Sequence, residues 1–113
     1  MKQLTAPELA AWLADMKAGT ASASAPPLLL DVREPWEFER CRIEGALSMP
    51  MRSIPERLAE LDPAAAIVCI CHHGMRSMNA GGYLEQNGFT NITNLTGGID
   101  AWSRLVDPAI PTY

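Results

Sequence analysis

The chain has 113 residues, 48% hydrophobic and 19% charged, which gives one domain enough apolar material for a core and argues against intrinsic disorder. Its 9 basic and 13 acidic residues leave a net charge of −4, which disfavours a broad nucleic-acid-binding face but is compatible with a local basic loop. The opening Met1-Lys2-Gln3-Leu4-Thr5 is polar rather than signal-like, and the apolar runs Leu28–Leu30 and Ala64–Cys71 are too short to span a bilayer. Three cysteines, an odd number with no sign of secretion, point to a reduced, cytoplasmic setting. There the sequons at Asn91 and Asn94 are chance matches.

Thr5-Ala6-Pro7-Glu8 reads as a capping box, and Leu9, Trp12, Leu13 and Met16 follow at helical spacing. A helix from about Pro7 to Lys17 is expected, stopped by Gly19. Gly19 to Pro27 is rich in Ala, Ser and Pro and reads as a surface loop. Leu28 to Val32 is a buried parallel strand, followed by a short helix over Glu34–Arg40 with Pro35 in its first turn. Ala46 to Met49 is a second strand, stopped by Pro50. Ser53-Ile54-Pro55-Glu56 repeats the capping-box pattern ahead of Leu58 and Leu61. Ala66 to Ile70 is a third strand, Cys71 to Arg76 a loop, and Ser77 to Asn87 a helix ended by Gly88. Asn91 to Leu95 is a fourth strand, Ile99 to Val106 a last helix, and Asp107 to Tyr113 a tail. Short strands alternating with helices imply an α/β fold with a mostly parallel sheet of four or five strands and helices on both faces.

Cys71 stands where an apolar strand runs into a loop and then a helix, and open α/β sheets bind ligands at such strand ends. The helix N-terminus points free amides and a positive dipole toward the loop. His72, His73 and Arg76 add positive charge, the histidines when protonated, and each influence favours the thiolate. Gly74 permits positive φ, so successive amides can converge on one anion. The reading requires the sulfur to be ionised and open to solvent.

Cys71-His72-His73-Gly74-Met75-Arg76-Ser77 resembles the active-site loop of rhodanese-like domains. Asp31-Val32-Arg33-Glu34-Pro35-Trp36-Glu37-Phe38, with Ile43-Glu44-Gly45-Ala46 behind it, resembles the family's first signature. Leu95-Thr96-Gly97-Gly98-Ile99-Asp100-Ala101-Trp102 resembles its C-terminal one. The likeness runs in order along nearly the whole chain and implies a single rhodanese-like domain over residues 1–113. One departure is Cys41-Arg42, where the family usually has Gly-His.

The resemblance implies a two-step transfer by covalent catalysis. The Cys71 thiolate takes the outer sulfur of thiosulfate or a persulfide donor. A thiol, cyanide or an acceptor protein then removes it. His72, His73, Gly74, Met75 and Arg76 form the substrate-binding loop, whose amides stabilise the anionic sulfur. Asp31, Arg33 and Ser77 support that loop. No metal or organic cofactor is required, and no nucleic-acid or membrane partner is implied. Four residues separate Cys71 from Arg76. Related cysteine phosphatases and arsenate reductases have one more, a wider cradle suited to a tetrahedral oxyanion, so sulfur transfer is favoured over phosphate or arsenate chemistry. Inactive rhodanese-like binding modules often lack the cysteine that this chain retains.

Plainer roles stand beside these. Cys69 shares a strand face with Cys71 and reads as core rather than as a resolving thiol. Cys41 reads as incidental in a polar loop. Structural zinc needs separated ligand pairs that Cys69, Cys71, His72 and His73 do not supply. Arg76 either meets substrate or braces the loop against a carboxylate, and the sequence leaves both open. Ser77 reads as a cap or brace, Met75 as a rim or filler, and Trp12, Trp36 and Trp102 as core.

Overall fold

In the computed structural model, which describes residues 1–18 and 26–113, five strands form one parallel sheet in the order β1-β5-β4-β2-β3. The strands are β1 (Lys2–Leu4), β2 (Leu28–Asp31), β3 (Leu47–Ser48), β4 (Ile67–Ile70) and β5 (Ile92–Leu95). The helices are α1 (Ala6–Ala18), α2 (Pro35–Arg40), α3 (Ile54–Arg57), α4 (Met75–Gln86) and α5 (Gly98–Leu105). No helix among the described residues is long and apolar enough to cross a membrane. The anticipated stop at Gly19 and residues 19–25 of the anticipated Gly19–Pro27 loop lie outside the described residues.

Side chains in β2 and β4 alternate between two cores. Leu30, Ile67 and Cys69 join Ala80 and Leu84 of α4, whereas Leu29, Val68 and Ile70 join Leu9 of α1 and Ile99 and Trp102 of α5. Continuing that alternation past β4 puts Cys71 on the α4 side. Burying both faces explains why strands of four residues read as continuous apolar runs rather than as an alternating pattern.

The capping box at Thr5 is present: Glu8 N–H donates to Thr5 Oγ1 at 3.3 Å, and Thr5 N–H to Glu8 Oε1 at 2.9 Å. The second is not. Ser53 Oγ donates instead to Pro50 O at 2.7 Å, and α3 is a short helix between two 3-10 turns. Met51–Ser53 is already helical when it reaches Ser53, so that hydroxyl has no free amide ahead of it to cap. The strand β1 escaped the sequence reading because a three-residue edge strand with two exposed positions carries almost no periodic signal.

From β2 the chain passes to β3 on one side, and from β4 to β5 on the other. The carboxyl ends of β2 and β4 therefore flank a topological switch point, the place where such sheets bind ligands. β2 leads there into Val32, Arg33 and α2, and β4 into Cys71.

Candidate active site

The loop from Cys71 to Gly74 is shaped by two glycines. Gly74 has φ +103°, and a Cβ there would press on Gly97 N and Leu95 O at 3.2 and 3.3 Å. Gly98, at φ +60°, lets α5 approach so closely that a Cβ would lie 2.4 Å from both Cys71 O and His72 O. Those carbonyls accept hydrogen bonds from Ile99 N (2.8 Å) and Asp100 N (3.1 Å). The first turn of α5 thus holds the outer side of the loop.

The Gly74 N–H donates to Cys71 Sγ at 3.0 Å. Of the loop amides anticipated to converge on the sulfur, this is the one in hydrogen-bond contact. Ser77 Oγ lies 3.3 Å from the same sulfur and also contacts Asn94 Oδ1. Gly74 itself occupies the N-cap position of α4, so Ser77 is a buried neighbour of the sulfur and not a cap. Asn94, buried on β5, donates from Nδ2 to Gly74 O at 3.2 Å and to Gln3 Oε1 at 3.0 Å. A carbonyl only accepts, so Gly74 O fixes the amide's orientation and turns Oδ1 toward Ser77.

The anticipated solvent access is not found: Cys71 is only 1% exposed. One loop amide, Gly74 N–H, and the Ser77 hydroxyl reach the sulfur, rather than the anticipated convergence of several amides.

Arg76 forms a two-pronged pair with Glu37, Nη1 to Oε1 at 2.7 Å and Nη2 to Oε2 at 2.9 Å. Glu37 also accepts from the Tyr113 hydroxyl at 2.8 Å and from Glu34 N–H at 3.0 Å. The Arg76 bonds lower the Glu37 pKa to about 2 against the opposing effect of burial. Asp31 and Arg33 are both buried and joined at 2.7 Å. Arg33 also donates to Cys41 O, to Glu37 O at 3.3 Å and to the Tyr113 hydroxyl at 2.8 Å. Burial opposes its charge, but the bonds to Asp31 and Tyr113 outweigh that and raise its pKa.

The tail folds back over the loop. Ser103 Oγ donates to Ile110 O, and the Tyr113 ring lies on His72, which lies on His73, with centroids 4.1 and 4.0 Å apart. Burial, followed by the charge of His73, lowers the His72 pKa, and its buried Nε2 has no hydrogen-bond partner. His73 is exposed, 3.9 Å from Asp100, whose carboxylate Arg104 holds at 3.0 Å. His72, His73 and Asp100 each place one ligand atom within 4.8 Å of the others.

Cys69 is sealed in the core. Burial, with a contribution from Cys71, pushes its thiol up to about 12, which does not suit a resolving role at neutral pH. Cys41 is not the polar-loop residue anticipated: it is buried against the Arg33 guanidinium. Of the three tryptophans, Trp102 is buried and Trp12 packs on the α1–α5 core, but Trp36 is 61% exposed and meets Tyr113 edge-on. Met75, at 71% exposed, forms part of a rim. Beside the loop is a cavity of about 210 Å³ lined by Gln3, His73, Gly74, Met75, Met78, Asn94, Thr96 and Gly97. A larger cavity, about 470 Å³, lies between α1, α5 and the Arg42–Glu44 segment and is lined by none of the loop residues.

Glu37, Asn94, Asp100 and Tyr113 were not singled out from the sequence. Asn94 carried a usable signal, a polar residue inside an apolar strand, which when buried must find partners. Glu37 sat in the first signature without a visible partner, and Tyr113 gave no signal at all.

A model of the rhodanese-like domain family matches residues 9–105. A protein named Sulfurtransferase from Allochromatium vinosum is 43% identical over 77 residues, covering 68% of this chain and 72% of that one. The Thiosulfate sulfurtransferase GlpE of Pseudomonas aeruginosa is 35% identical over 81 residues, covering 72% and 73%. The crystal structure of a rhodanese-like domain protein from Staphylococcus aureus superposes with a TM-score of 0.79 at 30% identity, over 100% of this chain and 99% of that one. Longer relatives also match, and this chain spans 21% to 30% of their length.

Proposed function

This chain belongs to the rhodanese-like domain family, and we propose that it is a sulfurtransferase in which Cys71 carries the transferred sulfur as a persulfide. The observation that carries the reading is the Gly74 N–H aimed at Cys71 Sγ at 3.0 Å from the N-terminus of α4. An amide and a helix dipole so placed stabilise an anionic sulfur.

In the first step the Cys71 thiolate attacks the outer sulfur of thiosulfate or of a persulfide. A Cys71–S bond forms, the donor's S–S bond breaks, and sulfite or a thiolate leaves with the electron pair. In the second step a thiol, cyanide or an acceptor-protein cysteine attacks the terminal sulfur and restores the thiolate. Splitting the transfer in two keeps each step a simple displacement at sulfur. Ser77 offers a second donor, and Arg76, held by Glu37, braces the loop. The burial of Cys71 requires the loop to part for the donor, and closing again excludes water from the persulfide.

That same burial is what favours a second reading, a binding module whose cysteine is only a core residue. One measurement separates them. The protein is incubated with thiosulfate and, separately, with glutathione persulfide, and its intact mass is taken. Gain of one sulfur atom, removed by cyanide and absent in Cys71→Ala, is the expected result. No adduct from either donor would sink the sulfurtransferase reading.

A further inference from the structure

We propose that Cys71 takes its sulfur from an organic persulfide, R–S–SH, in preference to thiosulfate. The inference rests on the sulfurtransferase reading and narrows its donor.

The first argument is a count of charges. Thiosulfate brings two negative charges to a sulfur that attacks as a thiolate, so three meet in one pocket. Like charges at contact distance repel strongly at the edge of a protein, and a site built for them supplies uncommitted cations. Here the cations around the loop are committed. Arg76 spends two nitrogens on Glu37, at 2.7 and 2.9 Å, and Arg33 is held by Asp31 at 2.7 Å. Arg104 is held by Asp100 at 3.0 Å, and that same carboxylate faces His73 at 3.9 Å. His72 is biased toward its neutral form by burial, and then by the charge of His73. The sulfur itself is met by one amide, Gly74 N–H, and one hydroxyl, Ser77. Two neutral donors match a single negative charge, not three.

The second argument is shape. The cavity beside the loop, about 210 Å³, has Met75 and Met78 as apolar walls and Gln3 and Thr96 as uncharged polar ones. It fits the body of an organic thiol and offers no charged clamp for a sulfonate other than His73, which Asp100 already faces.

With a protonated persulfide the reacting sulfurs carry a single negative charge throughout. The Cys71 thiolate attacks the outer, protonated sulfur. The new bond gives Cys71–S–SH, the donor's S–S bond breaks, and RS⁻ leaves with the electron pair. Proton exchange with water then yields RSH and the Cys71 persulfide anion, which Gly74 and Ser77 can hold. One sulfane sulfur moves, and no outside oxidant or reductant is consumed.

The test compares second-order rates of Cys71 loading for three probes: glutathione persulfide, persulfidated serum albumin and thiosulfate. Glutathione persulfide or the albumin should exceed thiosulfate by at least about a hundredfold. Whichever of the two is faster tells a small donor from a protein-borne one. Asp100→Asn, and Glu37→Gln if it folds, should each raise the thiosulfate rate relative to the persulfide rate by about tenfold, since each removes a competing anion. Thiosulfate loading as fast as either persulfide, in the unmodified protein, overturns the proposal while leaving the sulfurtransferase reading intact. No loading by any probe overturns both.

Discussion

The Tyr113 ring lies flat on His72, with centroids 4.1 Å apart and planes 8° from parallel. Its hydroxyl accepts from Arg33 and donates to Glu37, at 2.8 Å in each case. The last residue of the chain therefore joins the β2 end of the site to the loop after β4. Burial, followed by the hydrogen bonds that oppose each other, pushes its phenol up to about 12, so it stays a donor at all ordinary pH.

Tyr113→Phe keeps the stack and removes both hydroxyl bonds. Hydrogen bonds to charged groups are worth about 2 kcal/mol, and a stability loss of that size is expected in urea unfolding. Tyr113→Ala also uncovers His72. Since burial is the leading cause of the lowered His72 pKa, uncovering the ring moves that pKa up toward the ordinary histidine range. Imidazole titration by NMR reads this, and an unchanged His72 midpoint in Tyr113→Ala counts against the tail as its cover.

Glu37 couples stability to acid. Its folded pKa of about 2, against an ordinary 4.5, means that the folded state prefers the ionised form. That preference is fully present above about pH 4.5 and is lost as pH falls through about 2. It is worth on the order of 3 kcal/mol. Glu37→Gln should forfeit about this much at pH 7 and show a flatter fall in stability between pH 4.5 and 2. Unfolding curves that steepen equally in both proteins would show that another group dominates acid loss.

Ser77 has one hydroxyl proton and two claimants, Cys71 Sγ at 3.3 Å and Asn94 Oδ1. With a neutral thiol, the chain S–H to Ser77 to Asn94 uses every donor once. With an anionic sulfur, the proton turns to Cys71. Ser77→Ala should therefore slow sulfur loading about tenfold, the value of one charge-assisted hydrogen bond, and Ser77→Thr should largely restore it. Asn94→Ala removes the competing acceptor and should speed loading only when Ser77 is present. The same change in both backgrounds would mean that Asn94 acts through the Gly74 carbonyl instead.

Gly98→Ala places a Cβ 2.4 Å from two loop carbonyls at a positive φ of +60°. Neither backbone atom can yield without breaking the bonds from Ile99 and Asp100. We expect a cost above about 2 kcal/mol together with a loss of sulfur loading. Gly82→Ala, whose Cβ meets nothing within 4 Å, is the control and should leave both unchanged.

Local patterns determined the order of strands and helices from α1 onward, but not β1. The Thr5 capping box, the apolar run ending at Cys71, the four-residue gap to Arg76 and the positive-φ Gly74 are all short-range features. Period-two alternation told that Cys71 shares a face with Cys69, and the structure puts both in one core. What only the folded chain decided are pairings between distant residues. Glu37 and Arg76, 39 positions apart, meet because β2 and β4 lie side by side in the sheet. Asn94 meets Ser77 because β5 flanks β4 on the other side. Tyr113 reaches His72 through a tail anchored at Ser103. Sequence periodicity records which way a side chain points along its own element. Which carboxylate an arginine finds, and whether a sulfur ends up covered, depends on strand order and packing between elements, and no local pattern encodes those.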